Sequence, residues 1–186
     1  MEFAKLLVVF FAAINPAGVL LAMRGKQGHG PGTPRLTIAI GAGLAIVLFV
    51  LAVVLGTRIM DGLDLDAESF RIAAAMICAA VGVYTLWTGV PGSQAPGEPR
   101  IAHGWFPLGA PLLAGPASLA AAVSYSVDRG RWETFGGAVV WVLVSALLLA
   151  LWRGRWVAAA DGISRVTGAL LIVVAASLAI SGIKAV

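Results

Sequence analysis

Along this chain, apolar residues do not alternate with polar ones. They gather into six runs, 3–23, 36–57, 72–90, 106–127, 135–152 and 166–183, with charged residues at their ends and between them. Each run is close to the roughly 20 residues that a helix needs to cross a hydrocarbon core. The pattern predicts an all-α polytopic membrane protein with six spans. The first run opens like a secretory signal, with Lys5 ahead of an apolar stretch, but Pro16 interrupts it and five more runs follow, so it is expected to stay as the first span. The stretch Pro91-Gly-Ser-Gln-Ala-Pro-Gly-Glu-Pro-Arg100 has no apolar period and divides the spans three and three. A single membrane domain over residues 1–186 is expected, with a three-span repeat in 1–90, a linker in 91–105 and a second repeat in 106–186.

Two runs are broken by proline at matching places. The segment from Phe11 through Asn15-Pro16-Ala17-Gly18 to Met23 lies over the segment from Pro111 through Gly115-Pro116-Ala117-Ser118 to Val123 without a gap. The likeness continues at the third span of each half, where Phe70-Arg71-Ile72 resembles Ser164-Arg165-Val166. Three spans per repeat is an odd number, so the second repeat should enter from the opposite face, giving inverted repeats with spans one and four proline-broken or re-entrant. Pro107 and Pro111 make span four the most disrupted.

Composition supports the membrane reading: 60% of residues are hydrophobic and 12% charged, against about 25% charged in soluble domains, and the mean hydropathy is +0.94. The formal net charge of +4 does not point to nucleic acid, because the 13 lysines and arginines are scattered along the chain, mostly at span ends where they anchor helices to headgroups. The loop 24–35 holds three basic residues and no acid, while the next holds Asp61, Asp64, Asp66 and Glu68; on this bias both termini are expected outside the cytoplasm. Trp87, Trp105, Trp132, Trp152 and Trp156 fall near span ends, as an interfacial belt would place them. Ala74, Cys78 and Gly82 share one helix face and suit close helix packing, as do Gly41 with Ala45 and the Gly136-Gly137 pair. Cys78 is the only cysteine, which excludes an intrachain disulfide.

The broken runs carry the candidate chemistry. A proline has no N–H to donate four residues back, so Pro16 frees the Ala12 carbonyl and Pro116 frees that of Leu112. A new helix can start at each proline, with Asn15 and Gly115 as N-caps. The N–H groups of Ala17, Gly18, Ala117 and Ser118 would then suit a carboxylate, while the freed carbonyls and the Asn15 side-chain oxygen suit an ammonium group or a sodium ion. The alternative is that both prolines only kink their helices and neighbours satisfy the freed groups; the matched pair, and an asparagine at membrane depth, favour a small-molecule site. No Asp, Glu, Lys, Arg or His stands well inside a span, which disfavours a proton relay through buried carboxylates. Arg71 and Arg165 would steer a carboxylate or act as gates; the alternative is interfacial anchoring beside Glu68 and Asp161. His29 and His103 lie in separate loops without a second ligand, and no nucleophile, base and orienting acid assemble within the spans. Neither a metal site, a cofactor nor an enzyme activity is expected; the partners expected are a small solute, the bilayer and a coupling sodium ion, with further copies of the chain left open.

Asn15-Pro16-Ala17-Gly18, Phe70-Arg71-Ile72-Ala73, the stretch Pro107-Leu-Gly-Ala-Pro-Leu-Leu-Ala-Gly-Pro116, and the closing Arg165-Val-Thr-Gly168 to Ser181-Gly182-Ile183 together resemble the MarC family of six-span bacterial inner-membrane proteins. The resemblance covers nearly the whole chain in order. It implies a place in the small neutral amino acid transporter group of the LysE-like superfamily, some of whose members are credited with moving glycine and alanine. The chain departs from the family pattern at Ala74-Ala75, at His103-Gly104-Trp105, at Ala117 and at Ser181. A carrier of a lipid-linked or other amphiphilic substrate, and a non-transporting membrane adaptor, are the competing readings.

Overall fold

The computed structural model describes residues 2–24, 35–89, 104–151 and 157–185. The regular structure in these segments is helical: α1 (Glu2–Ile14), α2 (Pro16–Arg24), α3 (Arg35–Gly62), α4 (Ala67–Thr88), a π-helix (Gly104–Leu113), α5 (Pro116–Arg129), α6 (Arg131–Leu151) and α7 (Val157–Ala185). Each boundary has a local cause. Asn15 adopts a left-handed φ of 50° between α1 and α2, a conformation that asparagine tolerates better than most side-chain-bearing residues. Gly89, at φ 73°, closes α4 with its N–H bonded to the Thr85 carbonyl at 2.8 Å, the usual left-handed cap. Gly130, at φ 94°, is the single residue joining α5 to α6.

Among the described residues, five stretches are long and apolar enough to cross a membrane: Phe3–Met23, Arg35–Gly62, Ala67–Thr88, Arg131–Leu151 and Ala158–Lys184. They coincide with five of the six runs anticipated from the sequence. The last begins well before the expected residue 166 because the Asp161–Arg165 pair, one turn apart, carries the helix on into its charged end. The fourth run differs. It folds as the 10-residue π-helix followed by the 14-residue α5, since Pro107, Pro111 and Pro116 each remove an N–H donor and an unbroken α-helix cannot be built through them. The expected linker overlaps the π-helix at Gly104 and Trp105; the rest of it, with His29, His103, Trp152 and Trp156, lies outside the described residues.

Contacts between helices define the two ends of the bundle. At one, Phe3 of α1 lies beside Gly136 of α6, Arg131 donates to the Thr57 hydroxyl of α3 at 3.0 Å, Arg71 of α4 pairs with Asp128 of α5, and Gly182 of α7 packs on the Glu68–Ile72 turn. The start of α1 and the end of α7 are therefore at this end. At the other, Arg165 of α7 reaches the Leu86 and Trp87 carbonyls of α4. The same contacts make α4 and α7 antiparallel. Their seam is built from small residues: a Cβ on Gly168 would stand 2.7 Å from the Leu86 nitrogen and 2.9 Å from the Gly82 carbonyl. In lipid, where no hydrophobic force draws helices together, such backbone approach supplies the packing energy.

The α1–α2 stretch is the most deeply buried of the candidate spans. Its Leu6, Phe10, Ile14 and Val19 pack with α3, α6 and the π-helix, and its Val9 and Ala12 pack with α4, α5 and α7. Ala74, Cys78 and Gly82 are all buried on one face of α4, as their spacing predicts. The outward faces stay apolar; Met76 is 70% exposed and Val173 66%, the inversion expected of helices solvated by hydrocarbon.

Candidate functional site

At the first break the chain continues its hydrogen bonding up to the last possible residue. Asn15 N–H donates to the Phe11 carbonyl, and the Asn15 carbonyl accepts from Val19 N–H, both at 3.0 Å. Asn15 thus ends one helix and caps the next. Its Oδ1 accepts the Gly18 N–H at 3.0 Å, and its Nδ2 donates to the Ser164 hydroxyl of α7 at 2.7 Å. Ser164 is fully buried, and its carbonyl accepts from Thr167 Oγ1 at 2.7 Å. The amide expected to face an ammonium group is committed at both ends to the protein, with Asn15 only 2% exposed.

The second break is built differently. In the π-helix, bonds run five residues back, as from Ala114 N–H to the Gly109 carbonyl at 3.0 Å. In that register the donor missing at Pro116 belongs to the Pro111 carbonyl, one residue before the Leu112 carbonyl that α-helical counting assigns. Pro111 O indeed lies over Gly115, 2.7 Å from where a Cβ would stand, so this cap position has room for glycine alone. Gly115 is extended, at φ −81° and ψ 169°, and no side chain caps α5. Ser118 Oγ turns back to the Gly115 carbonyl at 3.0 Å. Ala117, fully enclosed, accepts at its carbonyl from the Cys78 thiol at 3.7 Å.

Each break backs onto its own cavity. One of about 330 Å³ adjoins Gly115, Pro116 and Ala117, and is walled by Pro111 and Leu112, by Ala13 of α1, and by Ala80, Val81 and Tyr84 of α4. The other, of about 310 Å³, adjoins Pro16 and Ala17 and is walled by Phe11, by Trp141 and Leu148 of α6, and by residues of α7. The breaks meet through packing, since Ala12 and Ala117 belong to one apolar cluster and Ile14 and Leu113 to another. The linings of these two cavities have no residue in common.

The two arginines sit at opposite ends of the α4–α7 seam. Arg71 pairs with Asp128 and lies 3.8 Å from Glu68. Arg165 bonds Asp161 at 2.9 Å and caps α4 through the Leu86 and Trp87 carbonyls at 3.1 and 3.0 Å. Two residues around the first break escaped sequence reasoning, Ser164 as the partner of Asn15 and Trp141 as a cavity wall. Ser164 reads as an ordinary small residue until the fold brings it to Asn15. Trp141 carried a signal: it stands mid-run, away from the interfaces where the other tryptophans gather.

Helices with apolar surfaces, ends pinned by arginine pairs and an apolar chain interior define a multi-pass helical membrane protein. The family model of the MarC family integral membrane proteins matches residues 1–186. The chain belongs to the MarC family. It is 22% identical over 198 aligned positions to the UPF0056 membrane protein YhcE of Escherichia coli, covering 98% of this chain and 92% of that one. It is 24% identical over 144 residues to a UPF0056 membrane protein of Pyrococcus horikoshii, covering 75% of this chain and 71% of that one. No solved structure matches it.

Proposed function

We propose that the chain carries small neutral amino acids of the glycine and alanine kind across the cell membrane, and that the second break is its substrate site. The observation that carries this reading is the α5 N-terminus, which no side chain caps and which adjoins a cavity of about 330 Å³ walled by glycine, alanine and proline together with Val81, Tyr84 and Leu112. The Ala117 and Ser118 N–H groups would take the carboxylate, favoured there by the helix dipole. The Pro111 carbonyl, or a sodium ion resting on it, would balance the ammonium charge. Ala13 and Ala80 would leave space for a hydrogen, methyl or hydroxymethyl side chain. In this reading Asn15-Pro16-Ala17-Gly18 shape the neighbouring helix, and Arg71 with Asp128 closes one end of the route.

Six crossings fit the geometry, with the π-helix and α5 together making the fourth, and the antiparallel α4 and α7 support inverted repeats. The membrane is the inner one where a cell has two, with both termini outside the cytoplasm.

Counterflow of labelled glycine, alanine and serine into proteoliposomes tests the reading. Saturable uptake above empty vesicles is expected, and Ala80→Leu, at an exposed position on the cavity wall, should lower it by about tenfold, as bulk in a substrate pocket does. Uptake equal to that of empty vesicles, with and without a sodium gradient, would overturn it. The second reading, an amphiphilic substrate, is favoured by the apolar walls; competition by a polyprenyl phosphate and none by amino acids would select it.

A further inference from the structure

We infer that the cavity behind the first break is a slot for one acyl chain of a bilayer phospholipid. At the first break the polar side chain is already spent: the Gly18 N–H is taken by Asn15 Oδ1, and the Asn15 amide by Ser164. The walls of the 310 Å³ space carry no charged side chain. Trp141 brings a buried indole N–H without a partner, but a zwitterion or ion entering the space would find no charged group to replace its hydration. A hydrocarbon occupant suits those walls best.

The shape points the same way. Trp141 and Leu148 are seven residues apart on one face of α6 and both line the space, so the slot runs two helical turns, about 10 Å, along the helix axis. Trp141 lies midway along Arg131–Leu151, about 15 Å from the helix end and so near the middle of a hydrocarbon core of about 30 Å. Its ring packs against Phe11 at a centroid distance of 4.8 Å and forms the floor. At the rim, Leu148 is 39% and Ile163 48% exposed, and Ala159 is exposed beside them. These rim residues lie where α6 nears its C-terminus and α7 leaves its charged start, on helices long and apolar enough to cross a membrane, so the mouth opens towards the lipid at one interface. A chain descending from the leaflet at the α6 C-terminus reaches Trp141 with its ester and headgroup still at the interface. The slot is separate from the cavity of the second break, and its occupancy does not depend on what solute the protein carries. The two breaks thus do different work: one is sealed by its own asparagine and lined for lipid, the other lacks a cap.

The test is contact quenching of Trp141 in the full-length protein. Trp87, Trp105, Trp132, Trp152 and Trp156 are replaced by phenylalanine, and the protein is reconstituted in phosphatidylcholine brominated either at mid-chain or beside the carbonyl. Mid-chain bromine should quench Trp141 more strongly than carbonyl-proximal bromine. Ala159→Phe, which plugs the mouth from an exposed position, should abolish most of that quenching, and Ile163→Ala, which widens the mouth, should raise it. Circular dichroism checks that both variants keep their helix content. Quenching unchanged by either variant would mean that only lipid outside the protein touches the ring, and would overturn the inference. So would quenching by aqueous acrylamide in place of bromolipid. If the five replacements prevent folding, the difference in mid-chain quenching between the parent protein and Ala159→Phe is read instead, and a difference of zero has the same meaning.

Discussion

Asn15 concentrates the residue-scale physics. It alone among its neighbours can hold a left-handed φ, cap α2 and bond Ser164, and these three tasks explain an amide at a depth where polar groups are costly. Replacing it by alanine removes the cap and leaves the Ser164 hydroxyl short of its partner, a loss of about 1–3 kcal/mol. Asn15→Gly keeps the permitted backbone and should be less damaging than Asn15→Ala. Thermal unfolding in detergent reads the order. A double-mutant cycle of Asn15→Ala with Ser164→Ala should give a coupling of about 0.6–2 kcal/mol, the range of interhelical bonds in membranes; additive losses would show that the bond contributes nothing. Gly115 is as constrained by a different cause, the Pro111 carbonyl above it.

At the scale of elements, glycines divide by what stands over them. Gly168 has the Leu86 nitrogen and the Gly82 carbonyl in the place of a side chain, whereas nothing lies within 4 Å of a Cβ on Gly43. Gly168→Ala must therefore push α4 and α7 apart, at about 1–3 kcal/mol, while Gly43→Ala should be neutral or stabilise α3 by up to about 1 kcal/mol. Melting temperatures of the two variants should move in opposite directions or leave Gly43→Ala unmoved; a Gly168→Ala protein as stable as its parent would refute the packing account. Arg165 also acts between elements, because its bonds to Leu86 and Trp87 satisfy carbonyls that the end of α4 leaves without donors.

For the whole molecule, the contacts that gather Phe3, Thr57, Arg71, Asp128, Arg131 and Gly182 at one end put the start of α1 and the end of α7 on one face. Cysteines placed at the two ends of the chain, in a Cys78→Ala background, should react alike with a membrane-impermeant maleimide, and from outside the cell if the basic bias of the 24–35 loop sets orientation. Opposite labelling of the two ends would remove one crossing and with it the inverted arrangement. Cys78 is the only cysteine and is buried, so the background change leaves no competing thiol.

Composition and short-range pattern were enough for the solvent, the apolar runs, the two proline breaks and the small-residue face of α4. These follow from composition and from rules acting over a few residues: hydrocarbon admits apolar side chains, proline lacks a donor, and positions four apart share a helix face. The sequence was also enough to recognise the family. Tertiary structure decided what the breaks do. Asn15 and Ser164 are 149 residues apart in the chain, and no local pattern says that they meet. Nor does spacing reveal that the prolines of the fourth run favour a π register, which moves the unpaired acceptor to Pro111. The matched motifs promised two equivalent helix ends; long-range hydrogen bonding made them unequal, because a side chain can spend its bonds on the fold only once the fold has brought a partner to it.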